Sequence, residues 1–155
     1  MVAIIKAGKS INRILSYNEN KVNAKVAECI SATNYPVDHD KMGYTMKLNR
    51  LLKQIELHDK PEVNSIHISL NFDVSESHLS RKKLVEIADA YMEKIGFGRQ
   101  PYLVYQHHDA GHPHIHIVTT NIEGKGKRIS THHQGRLKSE PARKEIEEQF
   151  GLVKA

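Results

Sequence analysis

Residues 102–120 read Tyr-Leu-Val-Tyr-Gln-His-His-Asp-Ala-Gly-His-Pro-His-Ile-His-Ile-Val-Thr-Thr. An apolar run at 102–105 and a second run at 112–120 flank a connection containing Gly111 and Pro113, which predicts two neighbouring strands joined as a hairpin. Strand side chains alternate between faces, so His114 and His116 point one way and Ile115 and Ile117 the other. The hairpin brings His107 across from the His114/His116 pair. Five of the chain's eleven histidines fall within residues 107–116. Core packing explains such density poorly, because each buried ring brings a polar nitrogen that needs a partner. Three imidazoles on one face predict a divalent-metal site at His107, His114 and His116. Neutral histidines leave the ion its double charge and open coordination positions, as Lewis-acid chemistry requires. Asp109, two residues beyond His107, is placed to accept a proton from a ligand's second nitrogen and fix its tautomer. His108 and His112 read as loop residues around the site.

Working outward, residues 2–6 form a first strand, and Ser10 N-caps a short helix starting at Ile11. Residues 27–34 read as a strand, with a helix end as the alternative. Residues 41–58 carry Met42, Met46, Leu48, Leu51, Leu52 and Ile55 at helical spacing, with both methionines in the core. Residues 65–72 alternate cleanly: Ile66, Ile68, Leu70 and Phe72 on one side, His67, Ser69 and Asn71 on the other. If this strand neighbours the histidine strands, its polar face lines the metal surface. Residues 80–95 form an amphipathic helix ended by Gly96 and Gly98. After the hairpin come a turn at 123–126, a short strand at 128–130 and a charged helix at 141–150. The antiparallel hairpin decides the class: α+β, a central, largely antiparallel sheet with helices packed against it.

Composition bounds the function. At 155 residues, 39% apolar and 26% charged, the chain is the size of one ordinary soluble domain. No apolar run approaches the roughly 20 residues that span a membrane, and the start is no secretory signal. The one cysteine, Cys29, excludes an internal disulfide and reads as a small buried hydrophobe. A net charge of +5 favours a polyanionic partner, nucleic acid foremost. Tyr17, at the end of the first helix among Lys9, Arg13, Lys21 and Lys25, is the nucleophile on offer.

Tyr17 in an N-terminal strand–helix unit, followed by His107-His-Asp109 and His114-Ile-His116, resembles the mobilization relaxases of the HUH endonuclease superfamily. The resemblance also takes in residues 4–22, the 67–72 strand before a helix, Gly96-Phe-Gly98, and Asn121 just after the histidine motif. In rolling-circle replication initiators the tyrosine follows the histidines; here it precedes them. Family members commonly carry a serine where this chain has Asn71, and Ser69 is the neighbouring candidate for the same DNA-positioning role.

The resemblance implies an HUH/palm-like relaxase fold and a transesterase that nicks one strand of an origin of transfer in plasmid or transposon mobilization. Tyr17 attacks the scissile phosphorus, giving a 5′-phosphotyrosyl enzyme and a free 3′-OH. Asp109 orients a ligand histidine, a direct general-base role being the alternative. Lys9, Arg13, Lys127 and Arg128 contact phosphates, with Ser69, Asn71 and Asn121 beside the DNA. The implied cofactor is a divalent ion, Mn or Mg first, with Zn, Co or Ni accepted. Implied partners are single-stranded DNA, an accessory mobilization protein and the coupling protein of a secretion channel, in the bacterial cytoplasm. Family members are often longer, so residues 1–155 read as one nicking domain, a candidate N-terminal part of a longer protein. Residues 124–136 are expected to be mobile without DNA. Two rival readings are a metal-dependent hydrolase with a water nucleophile and a DNA-binding mobilization accessory module.

Overall fold

A computed structural model describes residues 1–59, 62–131 and 138–155 of the chain. Among these residues are five strands, β1 (Val2–Gly8), β2 (Ala27–Thr33), β3 (Ser65–Asn71), β4 (Tyr102–His107) and β5 (His114–Thr119). Four α-helices accompany them: α1 (Ile11–Asn23), α2 (Tyr44–Ile55), α3 (Arg81–Lys94) and α4 (Glu140–Phe150). The strands form one sheet in the order β1-β3-β5-β4-β2, and every pairing is antiparallel. The expected α+β class, with helices on an antiparallel sheet, is what the chain adopts.

Each sheet face has its own core. Ile66, Ile68 and Leu70 of β3 join Ile115 and Ile117 of β5 under Leu84, Ile87 and Tyr91 of α3 and Ile146 of α4. The opposite face packs Leu103, Tyr105 and Val118 against Ile11 and Leu15 of α1 and Leu51 and Ile55 of α2. The strict alternation of β3 therefore sends its isoleucines to one core and turns His67, Ser69 and Asn71 toward the α1/α2 side. Helix α1 starts where Ser10 accepts a hydrogen bond from the Arg13 amide at 3.2 Å. Glu19 then ties it down, its Oε2 accepting from Tyr105 at 2.6 Å and Lys47 at 3.1 Å.

The structure departs from the sequence reading in a few places. The first strand continues to Gly8, and α2 spans Tyr44–Ile55 rather than 41–58. Met42 is buried, but Met46 is 47% exposed and outside the core, because it falls on the face of α2 turned away from the sheet. The strand expected at 128–130 reduces to one isolated bridge, Ile122 to Arg128. That bridge closes a turn at Gly126, whose φ is +83° and where a Cβ would lie 2.5 Å from the Leu57 carbonyl oxygen. Residues 132–136 of the segment expected to be mobile lie outside the described residues. Cys29 is half-buried, and burial pushes its thiol up to about 11, so it is a poor nucleophile. No helix among the described residues is long and apolar enough to cross a membrane.

Candidate metal centre and nucleophile

Sheet register builds the histidine cluster. Asn71, His114 and His107 pair across β3, β5 and β4 in one transverse row, and Ser69, His116 and Tyr105 form the next. His107 therefore sits directly opposite His114, with His116 two residues on along the same face. Ring centroids are 5.3 Å apart for His107–His114 and for His114–His116, and 3.9 Å for the stacked pair His107–His116. One nitrogen from each of the three lies within 4.8 Å of the others.

Electrostatics suit a cation. Burial holds His107 down to about 4 and His116 to about 2, and it lowers His114 as well. The rings are therefore neutral near pH 7, with a lone pair on each. Nδ1 of His107 is buried with no hydrogen-bond partner among the described residues. A buried polar atom left this way costs free energy unless something binds it. Three neutral imidazoles and an orphaned nitrogen fit a divalent ion, which would be held by His107, His114 and His116.

Tyr17 covers this cluster from α1. Its ring centroid is 6.2 Å from those of His107 and His116 and 5.8 Å from that of His67, and the residue is 45% exposed. Arg13 and Lys21 lie one turn before and after it on the same helical face. The Lys21 ammonium sits 5.1 Å from the Tyr17 ring centroid and pairs with the Asp109 carboxylate. That pairing is the largest influence on both groups, raising Lys21 and lowering Asp109.

Asp109 does not hold a tautomer as the sequence reading expected. Its Oδ1 is 3.9 Å from Nδ1 of His107 and 3.7 Å from Nε2 of His114, beyond hydrogen-bonding distance, and its partner is Lys21. The residue that contacts His107 is Asn18, whose Oδ1 is 2.7 Å from Nε2.

The expected DNA contacts divide. Arg13 and Ser69 line a cavity of about 490 Å³ together with Ile4, Lys6, Tyr17 and His116. Asn71 stands beside it, its amide donating to Ser69 Oγ at 3.1 Å and its oxygen 3.2 Å from His112 Nε2. Lys9, Asn121, Lys127 and Arg128 lie beyond the opposite end of the sheet, since Gly8 pairs with Ser65, and Thr119 with Ile66. Asn121 is only 2% exposed, inside the protein rather than on the surface the histidines share. Lys127 and Arg128 are exposed there.

Three neighbours of the cluster stood out little in the sequence. In sequence, Lys21 and His67 are no more than members of a basic flank and a polar strand face. Asn18 carried a better signal: positions 11, 15, 18 and 22 form one helical stripe, and a polar residue among its apolar members is anomalous. It is fully buried.

A family model described as Relaxase: MobA/VirD2-like, nuclease domain matches residues 17–152. Comparison with curated proteins returns no match.

Proposed function

The chain belongs to the MobA/VirD2-like relaxase nuclease family, and from that premise we propose that it is an HUH-type nickase working by tyrosine transesterification at an origin of transfer. The family supplies a DNA-nicking role on single-stranded DNA. The finer reading assigns the nucleophile to Tyr17 and the metal ligands to His107, His114 and His116. The observation that carries it is the Tyr17 ring, 6.2 Å by centroid from two of the three imidazoles and open to solvent.

As Tyr17 Oη bonds to phosphorus, the bond from phosphorus to the 3′ oxygen breaks. The phenol gives up its proton and the departing 3′ oxygen takes one up, so the step is proton-neutral. One phosphodiester is exchanged for another, and the 3′-OH can reverse the reaction to rejoin the strand. The Lys21 cation favours negative charge developing on the phenol oxygen. Arg13 and Lys6, at the cavity beside Tyr17, suit the phosphates of the entering strand. A divalent ion held by His107, His114 and His116 would supply Lewis-acid stabilisation of charge on the phosphoryl oxygens.

Mn²⁺ or Mg²⁺ is the proposed ion, with Zn²⁺, Co²⁺ or Ni²⁺ also suited to the imidazoles. Residues 1–155 would act as a single nicking domain. The proposed setting is the bacterial cytoplasm, with an accessory mobilization protein and a secretion-channel coupling protein as partners.

The test is incubation with Mn²⁺ and labelled single-stranded DNA from the transfer origin of the mobile element that encodes the chain, resolved under denaturing conditions. A labelled band at protein mass, lost in Tyr17→Phe, is expected. Cleavage that survives Tyr17→Phe with no retained band would instead mean a water nucleophile.

A further inference from the structure

One buried side-chain amide, between the nucleophile helix and the histidines, decides where their protons sit. Asn18 Nδ2 donates to the Ile14 carbonyl at 3.0 Å. A carbonyl only accepts, so this bond orients the amide: nitrogen toward Ile14, oxygen toward His107. Asn18 Oδ1 then lies 2.7 Å from His107 Nε2. An amide oxygen also only accepts, so Nε2 of His107 must carry its proton. In a neutral imidazole the other nitrogen keeps the lone pair. That other nitrogen is Nδ1, the buried atom with no partner.

The same amide reaches the second ligand through His67. The remaining Nδ2 hydrogen faces His67 Nε2 at 3.3 Å, where a ring proton would meet it head-on, which favours the His67 proton on Nδ1 and a single lone pair on Nε2. His116 Nδ1, at 2.9 Å, is the closer donor to that lone pair, which the Asn18 hydrogen shares at longer range. His116 is left with its lone pair on Nε2. His114 is set independently: its Nδ1 lies 3.2 Å from the His112 carbonyl oxygen, which again only accepts, leaving Nε2 free. An amide acceptor thus sets His107, a backbone acceptor His114, and the His67 ring His116.

We propose that Asn18, acting through His107 directly and through His67 on His116, is the positioning residue of the metal centre, so that the ion meets Nδ1 of His107 and Nε2 of His114 and His116. This rests on the reading of the three histidines as metal ligands. Asn18 adjoins Tyr17 on α1, so the amide that sets the ligands also ties the nucleophile's helix to them.

The test is long-range ¹H–¹⁵N correlation of the imidazoles in the full chain with labelled histidine, before and after adding Zn²⁺, a diamagnetic probe. Before the ion, His107 is expected as the Nε2–H tautomer and His114 and His116 as Nδ1–H. On addition, the shift change falls on Nδ1 of His107 and on Nε2 of the other two. Zinc binding through Nε2 of His107 would overturn this inference while leaving the metal reading standing. No shift on any of the three would remove the metal reading and this inference together.

Two variants sharpen it. Asn18→Asp keeps an acceptor for His107 and loses the donor, so His107 should retain Nε2–H while His67 and His116 lose their fixed tautomers. His67→Phe should release His116 alone and weaken Zn²⁺ affinity by roughly 10- to 100-fold in calorimetric titration, the usual effect of losing an outer-shell partner. Unchanged tautomers in a folded Asn18→Asp would overturn the proposal. The wild-type spectra decide the ligating nitrogens even if a variant fails to fold.

Discussion

Lys21 serves two neighbours at once, paired with Asp109 and lying against the Tyr17 ring. Replacing it by methionine keeps the stem and removes the charge. Lys21→Met should slow single-turnover adduct formation roughly tenfold, about 1.4 kcal/mol. Lys53→Met, on the exposed side of α2, should leave the rate unchanged and so controls for bulk charge. At this scale the sequence was legible where a residue type was rare or repeated. Three histidines at strand spacing announce themselves, while one asparagine in an apolar helical stripe is a fainter mark. What Asn18 contacts is decided only where α1 lies across β4 and β3. Asn121 shows the converse: its place next to the histidine motif in sequence says nothing about depth, and just past the end of β5 it is buried in the interior.

Helix α1 carries Arg13, Tyr17, Asn18 and Lys21, and its first turn depends on a cap. Ser10→Ala removes the oxygen that accepts from the Arg13 amide and should cost about 1 kcal/mol, read as a lowered denaturant midpoint. Because Ser10 lies outside the histidine cluster, Tyr17 adduct formation should survive under conditions where the variant is folded. Elements with a strong period were legible in advance. The two-residue alternation of β3 and β5 assigns each side chain to a face, whatever the fold around it. Helix α2 was less so. Met46, Leu48, Leu51, Leu52 and Ile55 cover more than one helical face, and only packing against Leu103 and Tyr105 selects Leu51 and Ile55 for the core and leaves Met46 outside.

Burial keeps His67, His107, His114 and His116 neutral, which ties stability to pH. Burial holds His67 and His107 at about 4, against an ordinary value of 6.5. Below pH 6.5 the unfolded chain binds protons that the native state refuses, so stability falls as pH drops from 6.5 to 4 and is fully present above 6.5. The metal-free protein should lose a few kcal/mol over that window, seen as falling denaturant midpoints. At pH 7.5 a divalent ion at 100 times its Kd should add about 2.7 kcal/mol, raising Tm, and His116→Ala should abolish that gain. From the sequence alone came the α+β class, the histidine hairpin with its facing imidazoles, and the tyrosine ahead of it, because these rest on local periodicity and residue chemistry. The tertiary structure alone decided the strand order that seats β3 beside β5, the helix that lays Tyr17 over the rings, and the exchange of Asp109 for Asn18 at His107. Those are contacts between residues as far apart as 18 and 107, set by how two cores pack on opposite faces of one sheet, and no local pattern encodes them.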